Sequence, residues 1–126
     1  MVVGGLGADP LNGNGGGELL LAATTAFDGH EVALAAILAE WTSGRSYEDR
    51  VANLRGTGSG SRANGDYFLR ASGPDATAYD DGDADVLQGA SGTDWYFANR
   101  SGGLAVDIIN GLGCSQIVEE LGVLQP

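Results

Sequence analysis

Lysine is absent from this 126-residue chain, and six arginines stand against seventeen aspartates and glutamates, for a net charge of −11. Without lysine there is no G-x-x-x-x-G-K-[ST] loop to cradle phosphates. So acidic a surface repels nucleic acid and anionic lipid and attracts cations. There is one histidine, His30, and one cysteine, Cys114. A single histidine leaves no Ser-His-Asp set, and no G-x-S-x-G turn occurs. His30-Glu31 lacks the second histidine of a zinc-protease helix. One cysteine excludes an internal disulfide, and one cysteine with one histidine cannot build a four-ligand zinc site. No apolar run approaches the roughly 20 residues that span a bilayer. No basic segment leads into an apolar one, so no signal peptide is expected here.

What the chain has is glycine, 22 residues of it, and a recurring turn. Asp80-Asp81-Gly82-Asp83-Ala84-Asp85-Val86-Leu87-Gln88 and Gly89-Ala90-Ser91-Gly92-Thr93-Asp94-Trp95-Tyr96-Phe97 are two copies of one nine-residue unit. Each has six small or polar residues ending in Asp, then a triplet with a large apolar residue in the middle. Such turns aim carbonyl oxygens inward, and Asp85 and Asp94 can close the cage. Flexible, carboxylate-rich, all-oxygen surroundings are what a hard cation such as calcium requires. Gly4-Gly5-Leu6-Gly7-Ala8-Asp9-Pro10-Leu11-Asn12 fits the pattern G-G-x-G-x-D-x-U-x, with U a large apolar residue, at every fixed place. Residues 13–21 fit with Glu18 in the acid's place. Residues 102–110 form a looser copy ending its turn at Asp107, and 111–117 a shortened one with Ser115 in that place.

This nonapeptide resembles the calcium-binding repeat of the RTX, or haemolysin-type, family of bacterial secreted and surface proteins. The resemblance implies a short parallel β-roll, a β-helix-like solenoid whose triplets are strands and whose turns bind Ca2+. Its metal positions would be Asp9, Asp81, Asp83, Asp85, Asp94 and Asp107, with the backbone at Gly5, Gly7, Gly82 and Gly92. If successive turns fall on alternate edges, one edge carries Asp9, Asp85 and Asp107, and the other Glu18, Asp94 and Ser115. The resemblance further implies an extracellular or cell-surface location, and folding stabilised by calcium outside the cell.

Between the repeats the character changes. Leu19 to Phe27 reads as an extended stretch. Asp28, with Glu31 three residues on, is a capping arrangement, and Val32, Leu34, Ala35, Ile37, Leu38 and Trp41 recur at helical spacing, so 29–42 reads as a helix ended by Gly44. Ser46 with Asp49 opens a second helix, with Tyr47, Val51 and Leu54 on its apolar side and Gly56 as its end. The two form a hairpin whose apolar stripe covers the repeats. Residues 56–66 read as a loop. Tyr67-Phe68-Leu69 and Ala76-Thr77-Ala78-Tyr79 read as strands about a turn at residues 72–75. Alternation within 95–97 buries Tyr96 in the roll and turns Trp95 and Phe97 toward the helices.

The expected plan is mainly β with a helical insertion: one domain over 1–126, with a repeat coil at 4–21, an insertion at 22–79 capping the roll as a two-helix hairpin, and repeat coils at 80–118. Met1-Val2-Val3 reads as the end of a preceding repeat, so the chain is expected to belong to a larger secreted protein. Asp80 and Asp81 are paired acids, but nothing sets them across a cleft as glycoside chemistry demands, and the expected role is non-enzymatic. Alternatively the roll is a scaffold for protein interaction or homo-oligomeric self-association, with little or no metal. Neither nucleic acid nor a membrane span is expected as part of its function.

Overall fold

The computed structural model describes residues 1–4, 10–12, 18–71, 75–80, 83–89, 93–100, 106–110 and 116–121. Strands β1 (Val2–Val3), β3 (Leu19–Leu21), β7 (Trp95–Ala98) and β9 (Ile117–Glu120) form a four-stranded sheet in the order β1-β3-β7-β9. Strands β2 (Pro10–Asn12), β6 (Val86–Gln88) and β8 (Ile108–Asn110) form a three-stranded sheet in the order β2-β6-β8. Every pairing in both sheets is parallel. Outside the insertion, successive strands alternate between the two sheets. Thus Leu11 lies beside Leu87 and Leu87 beside Ile109, while Leu20 lies beside Tyr96 and Tyr96 beside Val118.

The triplets hold their positions because their middle residues are large and apolar. Leu11 and Leu87 from one sheet pack with Leu20, Tyr96, Ala22 and Ala98 from the other in a buried layer between them. The flanking residues Leu19, Leu21, Trp95 and Phe97 point to the opposite face of the four-stranded sheet, where they are fully buried too. Burying a side chain of this size contributes roughly 1.5–3 kcal/mol. The cover is helical: α1 (Glu31–Trp41) and α2 (Tyr47–Arg55) supply Ile37, Trp41, Val51 and Leu54 to the same cluster. The Trp95 ring sits 4.8 Å from Phe97 and 5.9 Å from Trp41, centroid to centroid. The outer face of the three-stranded sheet has no such cover among the described residues, and Val86 and Ile108, neighbours in register, are exposed there.

The helices are joined below by a polar knot. Glu40, fully buried, accepts hydrogen bonds from Arg45 Nη1 (2.9 Å), Asn53 Nδ2 (3.1 Å) and the Ala63 N–H (2.7 Å). Asn64 donates to the carbonyls of Asn53 and Tyr67. These bonds fix the loop after α2 against both helices.

Several local expectations are corrected. The cap of α1 is His30, whose Nδ1 accepts from the Ala33 N–H, while Asp28 instead accepts from the N–H and hydroxyl of Thr25 and closes a turn. Glycine does not end α1: the cap is Thr42, and Gly44 lies beyond it without a left-handed angle. At α2 Ser46 caps the start and Gly56, at φ 87°, ends it, as the sequence implies. Tyr67–Leu69 is not a strand, because its backbone is tied locally, Leu69 N–H to the Leu54 carbonyl at the end of α2. The second stretch is a strand only at β5 (Ala78–Tyr79), antiparallel to β4 (Thr24–Thr25). The extended reading of 19–27 holds for β3 and β4, with a turn following.

Candidate metal centre

The acid that ends each turn sits immediately before a strand, so the parallel registers stack these acids in columns along the two edges. Asp107 precedes β8 and lies against Asp85, which precedes β6. Asp94 precedes β7 and lies against Glu18, which precedes β3. The register also corrects the fourth place: Ile117 pairs with Trp95, so Gln116, not Ser115, aligns with Asp94. The last unit is therefore full length. Asp85 and Asp107 are 22 residues apart, because residues 98–101 are added before the third coil, whereas Glu18 and Asp94, with the insertion between them, are 76 apart.

The columns share one bonding habit. Asp94 Oδ1 accepts the N–H of Glu18 at 2.7 Å, and Asp107 Oδ1 accepts the N–H of Asp85 at 2.8 Å. Each carboxylate thus reaches back to the main chain of the preceding coil at its own place in the unit. Glu18 lies 3.4 Å from the Met1 ammonium, which stands one place further along in the β1–β3 register. Asp107 Oδ2 takes a further N–H from Asn99 at 2.8 Å. A carboxylate oxygen holds two lone pairs, so these bonds leave acceptor capacity on each atom.

Burial is the dominant electrostatic fact. Asp80, Asp85, Asp94 and Asp107 are all buried, and Asp83 is half-buried. Desolvation pushes the carboxyl of Asp94 above its ordinary value, against the pull of the Glu18 N–H. Asp107 is likewise raised by burial, with the charge of Asp80 adding to the rise and the N–H groups of Asn99 and Asp85 opposing it. The paired arginines are elsewhere: Arg45 with Glu40, Arg55 with Glu119, Arg62 with Asp66 and Arg100 with Glu120. Among the described residues no arginine pairs with Asp80, Asp94 or Asp107.

The Asp94 edge has its own furniture. Gly89 admits the Asp94 carboxylate and the Tyr96 hydroxyl side by side, and a Cβ at position 89 would collide with both. Asp94 Oδ2 makes no well-formed hydrogen bond within the described residues, although the Tyr96 hydroxyl sits beside it. Burial raises the Tyr96 hydroxyl above its usual range, and the neighbouring Asp94 charge adds to that. From the helical side Tyr47 donates its hydroxyl to the Asp94 carbonyl at 3.0 Å. Gln116 Oε1 is buried there without a partner.

Of the positions implied by the resemblance, Asp85 and Asp107 come together on one edge and Asp94 stands on the other. Asp9, Asp81, Gly5, Gly7, Gly82 and Gly92 lie outside the described residues, as do Ser115 and Cys114. Among the described residues no group of three or more acidic, histidine or cysteine side chains is arranged to hold a metal ion as it stands. The residues do fit calcium in kind: carboxylate oxygens, Asp80, Asp94 and Asp107 buried with no arginine paired to them, and at Asp80 a buried oxygen, Oδ1, with no hydrogen bond among the described residues. Asp80 and Asn99 are the site residues that repeat counting missed. They occupy no acid place in the unit, and only the stacking of the coils brings them beside Asp107.

Comparison with protein-family models, with curated proteins and with solved structures finds no match for this chain. No helix among the described residues is long and apolar enough to cross a membrane.

Proposed function

We propose that the chain is a calcium-binding structural module: a short β-roll, capped on one face by a two-helix hairpin, non-enzymatic, and stabilised by calcium in an extracellular medium. The observation that carries this reading is the burial of the turn-end carboxylates Asp94 and Asp107 with no arginine paired to either among the described residues. Stacked acids out of water are unfavourable unless they bind a proton or a cation. Calcium accepts six to eight oxygens in flexible geometry, and glycine-rich turns supply such atoms from the main chain. An ion that binds only the folded chain adds its binding energy to folding, about 2.7 kcal/mol when its concentration is a hundred times the dissociation constant.

The test is thermal unfolding by circular dichroism in chelator and in calcium, with a calorimetric titration of calcium into the protein. A saturable heat and a melting midpoint that climbs with calcium are expected. Asp85→Ala should weaken the heat and lower the midpoint in calcium. Identical melting curves in calcium and chelator, with no heat, sink the proposal.

A second reading has its own support. Asp94 and Asp107 already receive main-chain N–H groups from adjacent coils, so the acids serve as staples without an ion. The exposed Val86 and Ile108 then belong to an interaction or self-association scaffold. Sedimentation separates the two: association that ignores calcium favours the scaffold, and a calcium-stabilised monomer favours the roll.

A further inference from the structure

We propose that Asp80 is a calcium ligand in its own right, and that it makes the edge carrying Asp80, Asp85 and Asp107 the one that loads. This rests on the calcium reading above and goes beyond the repeat, since Asp80 stands at the first place of its turn, where the pattern has glycine.

The argument begins with its two oxygens. Asp80 is 6% exposed. Its Oδ2 accepts from Asn99 Nδ2 at 3.1 Å, and its Oδ1 is buried with no hydrogen bond among the described residues. An ionised carboxylate offers about four acceptor positions, and leaving them dry and unpaired is costly. Asn99 then fixes where that oxygen belongs. The same residue that holds Asp80 through its side-chain amide gives its backbone N–H to Asp107 Oδ2, so the two acids flank it. Asp107 in turn receives the Asp85 N–H. Three buried carboxylates thus share one edge, tied by a neutral amide that cannot cancel their charge.

The other edge differs in kind. It holds one fully buried carboxylate, Asp94, beside a neutral amide, Gln116, and a partly exposed Glu18 that faces the Met1 ammonium. A phenol hydroxyl stands at Asp94 Oδ2 and a main-chain N–H at Oδ1. A doubly positive ion gains most where buried carboxylates stand together, and on this edge Asp80 and Asp107 flank Asn99 with no arginine paired to either among the described residues.

Asp80→Asn separates binding from folding. An asparagine there can still accept from Asn99, and it removes a buried charge. The variant is therefore expected to melt in chelator at or above the wild-type midpoint. In calcium its affinity by calorimetry should fall about tenfold or more, as expected for loss of a ligand, and most of the calcium-induced midpoint rise should go with it. Asp66→Asn, which alters an exposed carboxylate of the loop after α2, is the control and should titrate within about twofold of wild type. Asp80→Ser drops the carboxylate but keeps an acceptor, and it gives the same readout should the asparagine variant not fold. Wild-type calcium affinity in the Asp80 variants, or loss of the heat in Asp94→Asn alone, overturns this assignment while leaving the calcium reading intact. A wild-type protein that gives no calcium heat overturns both.

Discussion

Asp94 and Asp107 show what an aspartate can do at the end of a turn that a serine or glycine cannot. Its side chain is short enough to stay beside its own strand and long enough to accept an N–H from the coil before it. The consequence is a pH dependence of definite sign. Both carboxyls are raised above their ordinary value near 3.8, chiefly by burial. Between the unfolded and folded values the native chain holds the more protons, so stability falls as pH rises through that window and stays lowered above it. In chelator, acidification from neutral pH into the window should therefore raise the melting midpoint through these groups, with the gain complete below the unfolded value. The check is the difference between wild type and Asp94→Asn across the series. The wild type should gain on acidification relative to the variant, and a flat difference means that Asp94 titrates normally.

Helix α2 has each of its two ends set by a single residue. Ser46 Oγ accepts the Asp49 N–H at 3.1 Å, and Gly56 turns the chain at φ 87°. A Cβ at Gly56 would meet the Arg70 guanidinium and the Phe68 ring as well as the backbone penalty. Gly56→Ala should cost about 1–2 kcal/mol from the left-handed angle alone, read as a fall in the urea midpoint. Elements of this sort were legible beforehand because their signals are local: a serine three residues before an aspartate, a glycine after the last apolar position. The triplet strands were legible because nine-residue spacing repeats a local pattern. Tyr67–Leu69 looks like a strand by composition, but strand formation needs a neighbour in register, and this one found the end of α2 instead. His30 displaced Asp28 as the cap of α1 because Thr25 captured the aspartate first. Gln116 took the aligned place because it follows Asp107 by nine residues, as Asp94 follows Asp85, and Ile117 beside Trp95 shows that the last unit is not shortened. Asp80 was missed for the reason that makes it interesting: its importance lies in what stacks on it, not in its own turn.

At the scale of the molecule, charge and apolar surface are sorted to different places. Five of the six arginines fall between residues 45 and 70, in the helical hairpin and the loop after it, while the chain on either side of the 22–79 insertion carries one arginine and ten acids. The insertion is thus nearly balanced, and the edges of the sheets carry the excess. Aromatic rings are sorted as well. Trp41 and Trp95, the only two tryptophans in the chain, both belong to the cluster beneath the helices, and neither looks into the layer between the sheets. Intrinsic fluorescence is consequently a gauge of one seam. Excited at the indole band, the folded protein should keep its emission maximum when calcium is added, because an ion captured at the Asp80 edge would leave both rings shielded. A red shift would report water reaching the hairpin's underside. A spectrometer pointed at this chain sees the lid lift and is blind to the lock.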